Sequence, residues 1–153
     1  MSIRHKAGTI AGSMAVLSLA FTGLSGVANA QTQSFNQKVA GDAVTFVGKV
    51  PYVYGGSSPR TGFDCSGLTS YVYGHYGKSI PRTAEAQFQE FHRISESNAW
   101  GGDLVFFHDS SGYVFHVGIY EGGNMMVAAA TPQDGVRYQA IWSSAVTFGT
   151  ITH

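Results

Sequence analysis

Apolar residues follow a helical period in the first half of the chain and a strand period in the second. The spacing predicts helices over Val39–Val47, from Cys65 to about Tyr76 and from Thr83 to about Phe91, and glycines at 48 and 77 mark the ends of the first two. Alternation between turn residues then predicts four strands: Asp103–His108, Tyr113–Tyr120, Met125–Ala130 and Val136–Trp142.

This order of elements indicates an α+β domain, with helices packed on an antiparallel sheet. The short Gly-containing turns between the strands are those of hairpins, and parallel strands would need longer crossovers. A loop rich in Gly, Pro and Ser, residues 51–64, leads directly into Cys65. The chain of 153 residues has room for one such domain.

The first 30 residues have the pattern of a secretory signal peptide. A basic start precedes an apolar stretch, Ala7–Leu24, and Ala28-Asn29-Ala30 fits the small-x-small cleavage pattern. The alternative is an N-terminal membrane anchor, but Ser, Thr and Gly interrupt the apolar stretch. We therefore expect a signal peptide (1–30), a short flexible start (31–38) and one domain (39–153), with the mature protein exported and not stably inserted in the membrane.

Charge excludes nucleic acid as a partner. The chain has nine basic and nine acidic residues, only 12% of its residues are charged, and no basic stripe is interleaved with aromatic residues. A zinc site built from Cys65 and two histidines would lack the usual ligand spacing. We expect no cofactor and no metal, and nothing argues against a monomer.

Cys65 is the single cysteine of the chain. Exported proteins usually pair their cysteines, so one left over is a candidate reactive thiol; the alternative is a buried, inert thiol. The predicted helix places Cys65 at or near a helix N-terminus, where backbone N–H groups are expected to lower the thiol pKa and to hold an oxyanion.

His116 is the candidate base for this thiol. On the predicted central strand it shares a face with Gly118 and Tyr120, while Val117 and Ile119 point the other way. A half-buried histidine with a backbone partner is the alternative, but an exported chain with a helix-start cysteine favours a Cys–His pair. Charge or polarity alone explains the other histidines: His75 and His92 are predicted on helix surfaces, His108 at a turn and His153 at the end of the chain. Met125 and Met126 are most simply explained by packing in the core.

Five motifs resemble the NlpC/P60 cell-wall endopeptidases and occur in that family's order. They are Tyr52-Val53-Tyr54-Gly55-Gly56, Phe63-Asp64-Cys65-Ser66-Gly67-Leu68, Pro81-Arg82-Thr83-Ala84-Glu85-Ala86-Gln87, Gly102-Asp103-Leu104-Val105-Phe106-Phe107 and His116-Val117-Gly118-Ile119-Tyr120. The resemblance implies a papain-like α+β fold and hydrolysis of peptidoglycan stem peptides, usually between the γ-carboxyl of D-glutamate and a diamino acid.

The resemblance also implies roles for particular residues. Cys65 would attack the carbonyl, His116 would serve as base and then as acid, and Tyr52 would help to stabilise the oxyanion. Asp64 and Ser66 would line the pocket for the free amino end of the stem peptide. Arg82 would either bind a substrate carboxylate or anchor a loop through a salt bridge, and the sequence leaves both open.

One position departs from the family. The third catalytic residue, a polar side chain about a dozen residues after the base, falls on Ala128. Three outcomes follow: a working Cys–His dyad, a polar residue recruited from elsewhere such as Gln133 or Asp134, or lost activity. A thiol nucleophile depends less on a perfectly held base than a hydroxyl does, which favours the dyad.

Three functions are compatible with these residues. The first is a secreted cysteine endopeptidase acting on stem peptides at the cell wall. The second is an inactive peptidoglycan-binding protein of the same fold, supported by Ala128. The third is a papain-like acyl or amide transferase, which would pass the same acyl group to an amine.

Overall fold

Helices and an antiparallel sheet make up the part of the chain described by the computed structural model, residues 23–152, and confirm the predicted α+β class. Residues 1–22, which hold most of the predicted signal peptide, and His153 lie outside that range. The elements in chain order are α1 (Gly23–Thr45), β1 (Ser57–Ser58), β2 (Gly62–Phe63), α2 (Cys65–His75), α3 (Ala84–Glu90), β3 (His92–Ile94), a 3₁₀ turn (Glu96–Asn98), β4 (Leu104–His108), β5 (Val114–Gly122), β6 (Met125–Ala129), β7 (Val136–Ala140) and β8 (Val146–Thr150).

The first helix begins well before Val39, where the apolar pattern placed its start. Residues 31–38, predicted as a short flexible start, belong to this helix, and one polar residue among them, Asn36, packs inward. Asn36 is 1% exposed, and its Nδ2 donates to the Oδ1 of Asp103 over 2.9 Å. Buried polar pairing of this kind leaves no trace in an apolar period. No helix in the described range is long and apolar enough to span a membrane.

The main sheet has the strand order β3-β8-β4-β5-β6-β7, with every neighbouring pair antiparallel. One face packs against the helices and includes Val117 and Ile119. The other face carries a second apolar cluster: Val105, Phe107, Tyr120, Met126, Ala128, Ile141 and Phe148. The predicted alternation along β5 is therefore present, and His116 belongs to the second face.

Two strands at one side of the sheet were missed by the sequence analysis. His92 was expected on a helix surface, but α3 ends at Glu90, and His92 pairs with Thr150 across β3 and β8. The prediction was wrong because β3 has three residues and is stabilised by a partner far along the chain. The 141–145 segment between β7 and β8 contributes Ile141 to the second apolar cluster.

A partly buried carboxyl group lies where α1 meets the sheet. Glu121 occupies the register shift between β5 and β6 and lines a cavity of about 330 Å³ beside Asn36 and Trp100. Its Oε1 is buried and has no hydrogen-bond partner among the described residues. Burial raises the pKa of Glu121 to about 8. The group is therefore protonated in the folded protein near neutral pH.

We expect Glu121→Gln to stabilise the protein above about pH 4.5, with a gain that grows as the pH rises towards 8. The pKa of Glu121 is higher in the folded chain than its ordinary 4.5, so its contribution is fully present below pH 4.5 and is lost as pH rises through 8. Glutamine stays neutral, and the free energy of unfolding should rise by about 2 kcal/mol at pH 8.5, with little change at pH 4.5. Urea denaturation at both values measures this. Glu90→Gln, an exposed replacement with the same change of charge, should show no such difference; equal effects of the two variants would contradict the prediction.

Candidate active site

The start of α2 is built on Asp64. Its Oδ1 accepts a hydrogen bond from the backbone N–H of Gly67 over 2.7 Å, which caps the helix, and its Oδ2 accepts from the N–H of Gly55 over 2.9 Å. One carboxylate thus joins the helix to the glycine-rich loop before it. Cys65 is the first residue of the helix, as predicted.

Arg82 closes this network from the side of α3. Its two terminal nitrogens form a bidentate pair with Asp64 at 2.9 and 2.8 Å, and they also donate to Ser66 Oγ and to the carbonyl of Gly56. The hydrogen bond to Asp64 is the main reason that the pKa of Arg82 is raised. These are the contacts of a loop anchor, one of the two roles that the sequence left open for Arg82.

Cys65 lies between two concave regions of the surface. The first, here called the Asp64 lobe, has a volume of about 440 Å³ and is lined by Asp64, Ser66 and Arg82 among others. The second, the His116 lobe, has about 400 Å³. Cys65, Tyr52 and Phe115 line both lobes. The thiol is therefore placed at the middle of a groove with room on either side.

Cys65 lies against the first part of β5, where β5 is not paired with β6. The pairing of β5 with β6 starts at Ile119↔Val127, and nearer the beginning of β5 the backbone N–H of Val117 donates to the Cys65 sulfur. His116 precedes Val117 and lines the same lobe as Cys65. The structure thus brings the two predicted residues together in one groove.

The thiol pKa differs from the sequence-based expectation. Burial raises the pKa of Cys65; the N–H of Val117 lowers it, the charge of Asp64 raises it further, and bonds from Ser66 lower it slightly. The expectation of a lowered pKa was wrong, because enclosure penalises the thiolate by more than the N–H groups stabilise it. Cys65 is therefore a neutral thiol at rest and must lose its proton during the reaction.

We expect the alkylation of Cys65 by iodoacetamide to be strongly pH dependent in the folded protein. Only the thiolate reacts, and because burial raises the pKa of the thiol, the rate should still rise by close to tenfold per pH unit between pH 7 and pH 8. Mass spectrometry measures the rate directly because the chain has no other cysteine. The chain unfolded in urea provides the unperturbed thiol as a control. A folded-state rate that is flat from pH 5 to pH 8 would show a preformed thiolate instead.

His116 is enclosed by aromatic rings. It is 8% exposed, and its ring lies 5.3 Å from that of Phe107 and 5.1 Å from that of Trp142, which themselves stack at 4.2 Å. Burial lowers the pKa of His116 to about 4. The imidazole is neutral at physiological pH and is able to accept a proton. Its Nε2 is buried without a hydrogen-bond partner among the described residues.

The position of the family's third residue is apolar in the structure as well. Ala128 is fully buried on β6 within the second apolar cluster. Gln133, a predicted substitute, is exposed in the turn before β7. The other, Asp134, lines the His116 lobe, but its carboxylate accepts from Thr131 at 2.8 Å and from Arg137 at 2.7 Å. Neither has a hydrogen bond to His116 among the described contacts.

The remaining histidines of the described range lie away from the groove. His75 pairs with Asp42 on the surface, and His108 at the end of β4 bonds to Thr147. Met126 is fully buried, as the sequence indicated.

Sequence reasoning missed Trp142 and Phe115, which line the groove. The predicted strand ran to Trp142, but β7 ends at Ala140, and Trp142 reaches His116 only because the chain after β7 folds back over the sheet.

Comparison with known families gives one match that covers most of the chain. The model of the NlpC/P60 family matches residues 48–151, which include Tyr52, Cys65, Arg82 and His116. The match begins near the end of α1 and extends through β8. It therefore contains both lobes of the groove.

Individual relatives share this segment at moderate identity. The chain is 50% identical over 103 residues to a probable endopeptidase p60 of Listeria welshimeri. This aligned segment covers 67% of the chain and 19% of that protein. It is 37% identical over 114 residues to a gamma-DL-glutamyl hydrolase of Bacillus subtilis, covering 71% and 27%. The structure of the peptidoglycan hydrolase RipB of Mycobacterium tuberculosis superposes with a TM-score of 0.71 at 28% identity, covering 88% of the chain and 73% of that protein. The chain thus spans about a quarter or less of these two curated relatives.

Proposed function

Because the chain belongs to the NlpC/P60 family, we propose that it is a secreted cysteine endopeptidase that hydrolyses peptidoglycan stem peptides. The observation that carries this proposal is the groove in which Cys65, at the start of α2, and His116, on β5, line one lobe. A thiol beside a neutral imidazole is the minimum needed for acyl transfer through a thioester.

The proposed reaction starts from two neutral groups. His116 takes the thiol proton as the Cys65 sulfur bonds to the substrate carbonyl carbon, and the carbonyl oxygen becomes an oxyanion. Collapse of this intermediate breaks the C–N bond, and His116 returns the proton to the leaving amine. Water then attacks the thioester with His116 as base, which releases the free carboxylate and restores the thiol.

Two groups are placed to stabilise the oxyanion. The backbone N–H of Cys65 lies in the first turn of α2, where no intrahelical acceptor is available. Tyr52 lines both lobes beside Cys65, and burial raises its pKa, so its hydroxyl stays protonated and able to donate. Such donors are effective because they are oriented before charge develops.

The two lobes suit the two sides of the scissile bond. We assign the amino end of the stem peptide to the Asp64 lobe, where Asp64 and Ser66 supply polar groups, and the diamino acid to the His116 lobe. The Asp64 carboxylate already accepts from Gly55, Gly67 and Arg82, so it would attract an ammonium group mainly through its charge. The γ-D-glutamyl bond is the proposed target, supported by the hydrolase from Bacillus subtilis named above.

We also propose that export removes residues 1–30. The predicted cleavage point lies within α1, ahead of the residues that tie this helix to the domain. Thr32 and Asn36 make such contacts, to the carbonyl of Thr152 and to Asp103. Cleavage after Ala30 would therefore leave the packed part of α1 in place. The intact mass of protein recovered from the culture medium tests this, and a mass that includes residues 1–30 would contradict it.

Mass spectrometry of purified peptidoglycan fragments tests the enzymatic proposal. Incubation with the protein should remove intact stem peptides and produce new fragments ending in D-glutamate, with one water added across each pair of products. Cys65→Ser serves as the control and should leave the fragments intact. A folded wild-type protein that cleaves none of them would contradict the proposal.

One observation favours a second candidate, a peptidoglycan-binding protein without catalysis. Ala128 provides no polar group, and the Nε2 of His116 is buried without a described partner. An imidazole that is not held in one tautomer is a poorer base. Binding of stem peptide by the wild-type chain with no change in peptide mass would select this candidate.

A further inference from the structure

The His116 lobe contains an acidic side chain that the proposed reaction does not use. Among the described residues that line the lobe, Asp134, in the turn between β6 and β7, is the one acid, and none is lysine or arginine. His116 adds no positive charge near neutral pH, because burial lowers its pKa to about 4. The lobe therefore has a negative potential, which favours a cationic group of a ligand over a carboxylate.

The turn holds the Asp134 carboxylate in a fixed place. Its Oδ2 accepts a hydrogen bond from the hydroxyl of Thr131 over 2.8 Å, and the carbonyl of Thr131 accepts from the backbone N–H of Asp134 over 3.0 Å. The N–H of Val136 donates to the carbonyl of Val50 over 3.0 Å, which ties the turn to the segment just before Tyr52. A group that is held before the ligand arrives loses little freedom on binding, so this carboxylate is a preorganised acceptor.

The same carboxylate has room for a further donor. An ionised carboxylate offers about four acceptor positions. The described contacts of Asp134 use two of them, one for Thr131 and one for Arg137 over 2.7 Å. The side chains of Asp134 and Arg137 are 34% and 51% exposed, so this ion pair is in contact with water, where such pairs are weak. A donor supplied by a ligand can therefore bind beside the two that are present.

Exposed aromatic rings line the lobe as well. Trp142 is 54% exposed and Phe115 is 52% exposed, and both line the lobe that contains Asp134. The faces of aromatic rings attract ammonium groups, and tryptophan attracts them most strongly. A carboxylate and exposed aromatic rings in one lobe are the combination that suits a protonated amine.

We infer that Asp134 binds the side-chain ammonium group of the diamino acid and thereby selects stem peptides in which that amine is free. This inference rests on the proposed function, which assigns the diamino acid to the His116 lobe. In a cross-linked stem peptide the side-chain amine is acylated and has lost its charge. The protein should therefore cleave uncross-linked stem peptides in preference to cross-linked ones. Asp134 determines specificity in this scheme and takes no part in the chemical step.

The experiment uses two synthetic stem peptides that differ only at the side-chain amine of the diamino acid. Dimethylation keeps the positive charge of the amine, and acetylation removes it. The wild-type protein should cleave the dimethylated peptide with a kcat/KM about 10- to 100-fold higher, the usual effect of a hydrogen bond to a charged group. Asp134→Asn should reduce this ratio to within about threefold, mainly by lowering kcat/KM for the dimethylated peptide. Glu90→Gln, an exposed replacement with the same change of charge, should keep the wild-type ratio.

A binding measurement separates this inference from the peptidase proposal. By isothermal titration calorimetry, Cys65→Ser should bind the dimethylated peptide about 10- to 100-fold more tightly than the acetylated one, and the double variant with Asp134→Asn should bind the two alike. Cleavage of both peptides at equal rates would overturn the inference and leave the peptidase proposal intact, and so would a ratio that Asp134→Asn leaves unchanged. If neither peptide is cleaved but the difference in binding is present, the peptidase proposal fails and the role of Asp134 stands; equal binding or no binding would then overturn that role too.

Discussion

Replacing Cys65 with alanine is expected to reduce the cleavage of stem peptides by at least about a thousandfold. The proposed reaction forms a thioester at this sulfur, and the chain has no second thiol that could replace it. Without the sulfur, His116 would have to direct water at the amide itself, which is a much poorer electrophile than the thioester. The rate of release of D-glutamate-terminated fragments, followed by mass spectrometry, measures the loss.

The alanine variant should keep its fold and its substrate. Cys65 is only partly buried, and the cap of α2 depends on Asp64, so thermal unfolding should occur within a few degrees of the wild-type temperature. Binding of an uncleaved stem peptide should persist, since the other side chains of both lobes are unchanged. Cleavage at more than a few per cent of the wild-type rate by a folded alanine variant would exclude Cys65 as the nucleophile.

The sequence was sufficient for elements whose signals are local. α2 and α3 have a periodic apolar face and a side-chain cap, from Asp64 and Thr83, and the structure places them close to the predicted bounds. The central hairpins were predicted from alternation between glycine turns. The same local signals placed Cys65 at a helix start and His116 on a central strand, which explains why the sequence alone was enough to select both as candidates.

What the sequence did not predict depends on burial and on distant partners. Asn36 extends α1 because it pairs with Asp103, and β3 exists only because β8 returns beside it. The pKa of Cys65 is raised by enclosure, a quantity that no motif contains. Trp142 reaches His116 only because the segment after β7 folds back over the sheet. Each of these features joins residues that are far apart in the chain.

A glycine inside α2 provides the sharpest test of how the groove is assembled. Gly67 is buried in the first turn of the helix, and a Cβ atom there would lie well inside the contact distance of the Gly56 carbonyl oxygen and 2.9 Å from Asp64 Oδ1. Gly56 cannot easily retreat, because its carbonyl accepts from the N–H of Asp64 at 3.0 Å and from Arg82 at 3.2 Å. The helix and the loop are thus in backbone contact at the residue next to Ser66.

We therefore expect Gly67→Ala to lower the free energy of unfolding by about 3 kcal/mol or more and to reduce activity by displacing the start of α2. Helix propensity alone predicts the opposite, a gain of about 0.5–1 kcal/mol. Gly74→Ala in the same helix is the matched control, since no atom lies within 4 Å of a Cβ there, and it should show that gain. Urea denaturation of both variants measures the difference. Similar stabilisation by the two alanines would mean that the loop yields freely, and the close approach of Gly56 to α2 would then not be what positions Cys65.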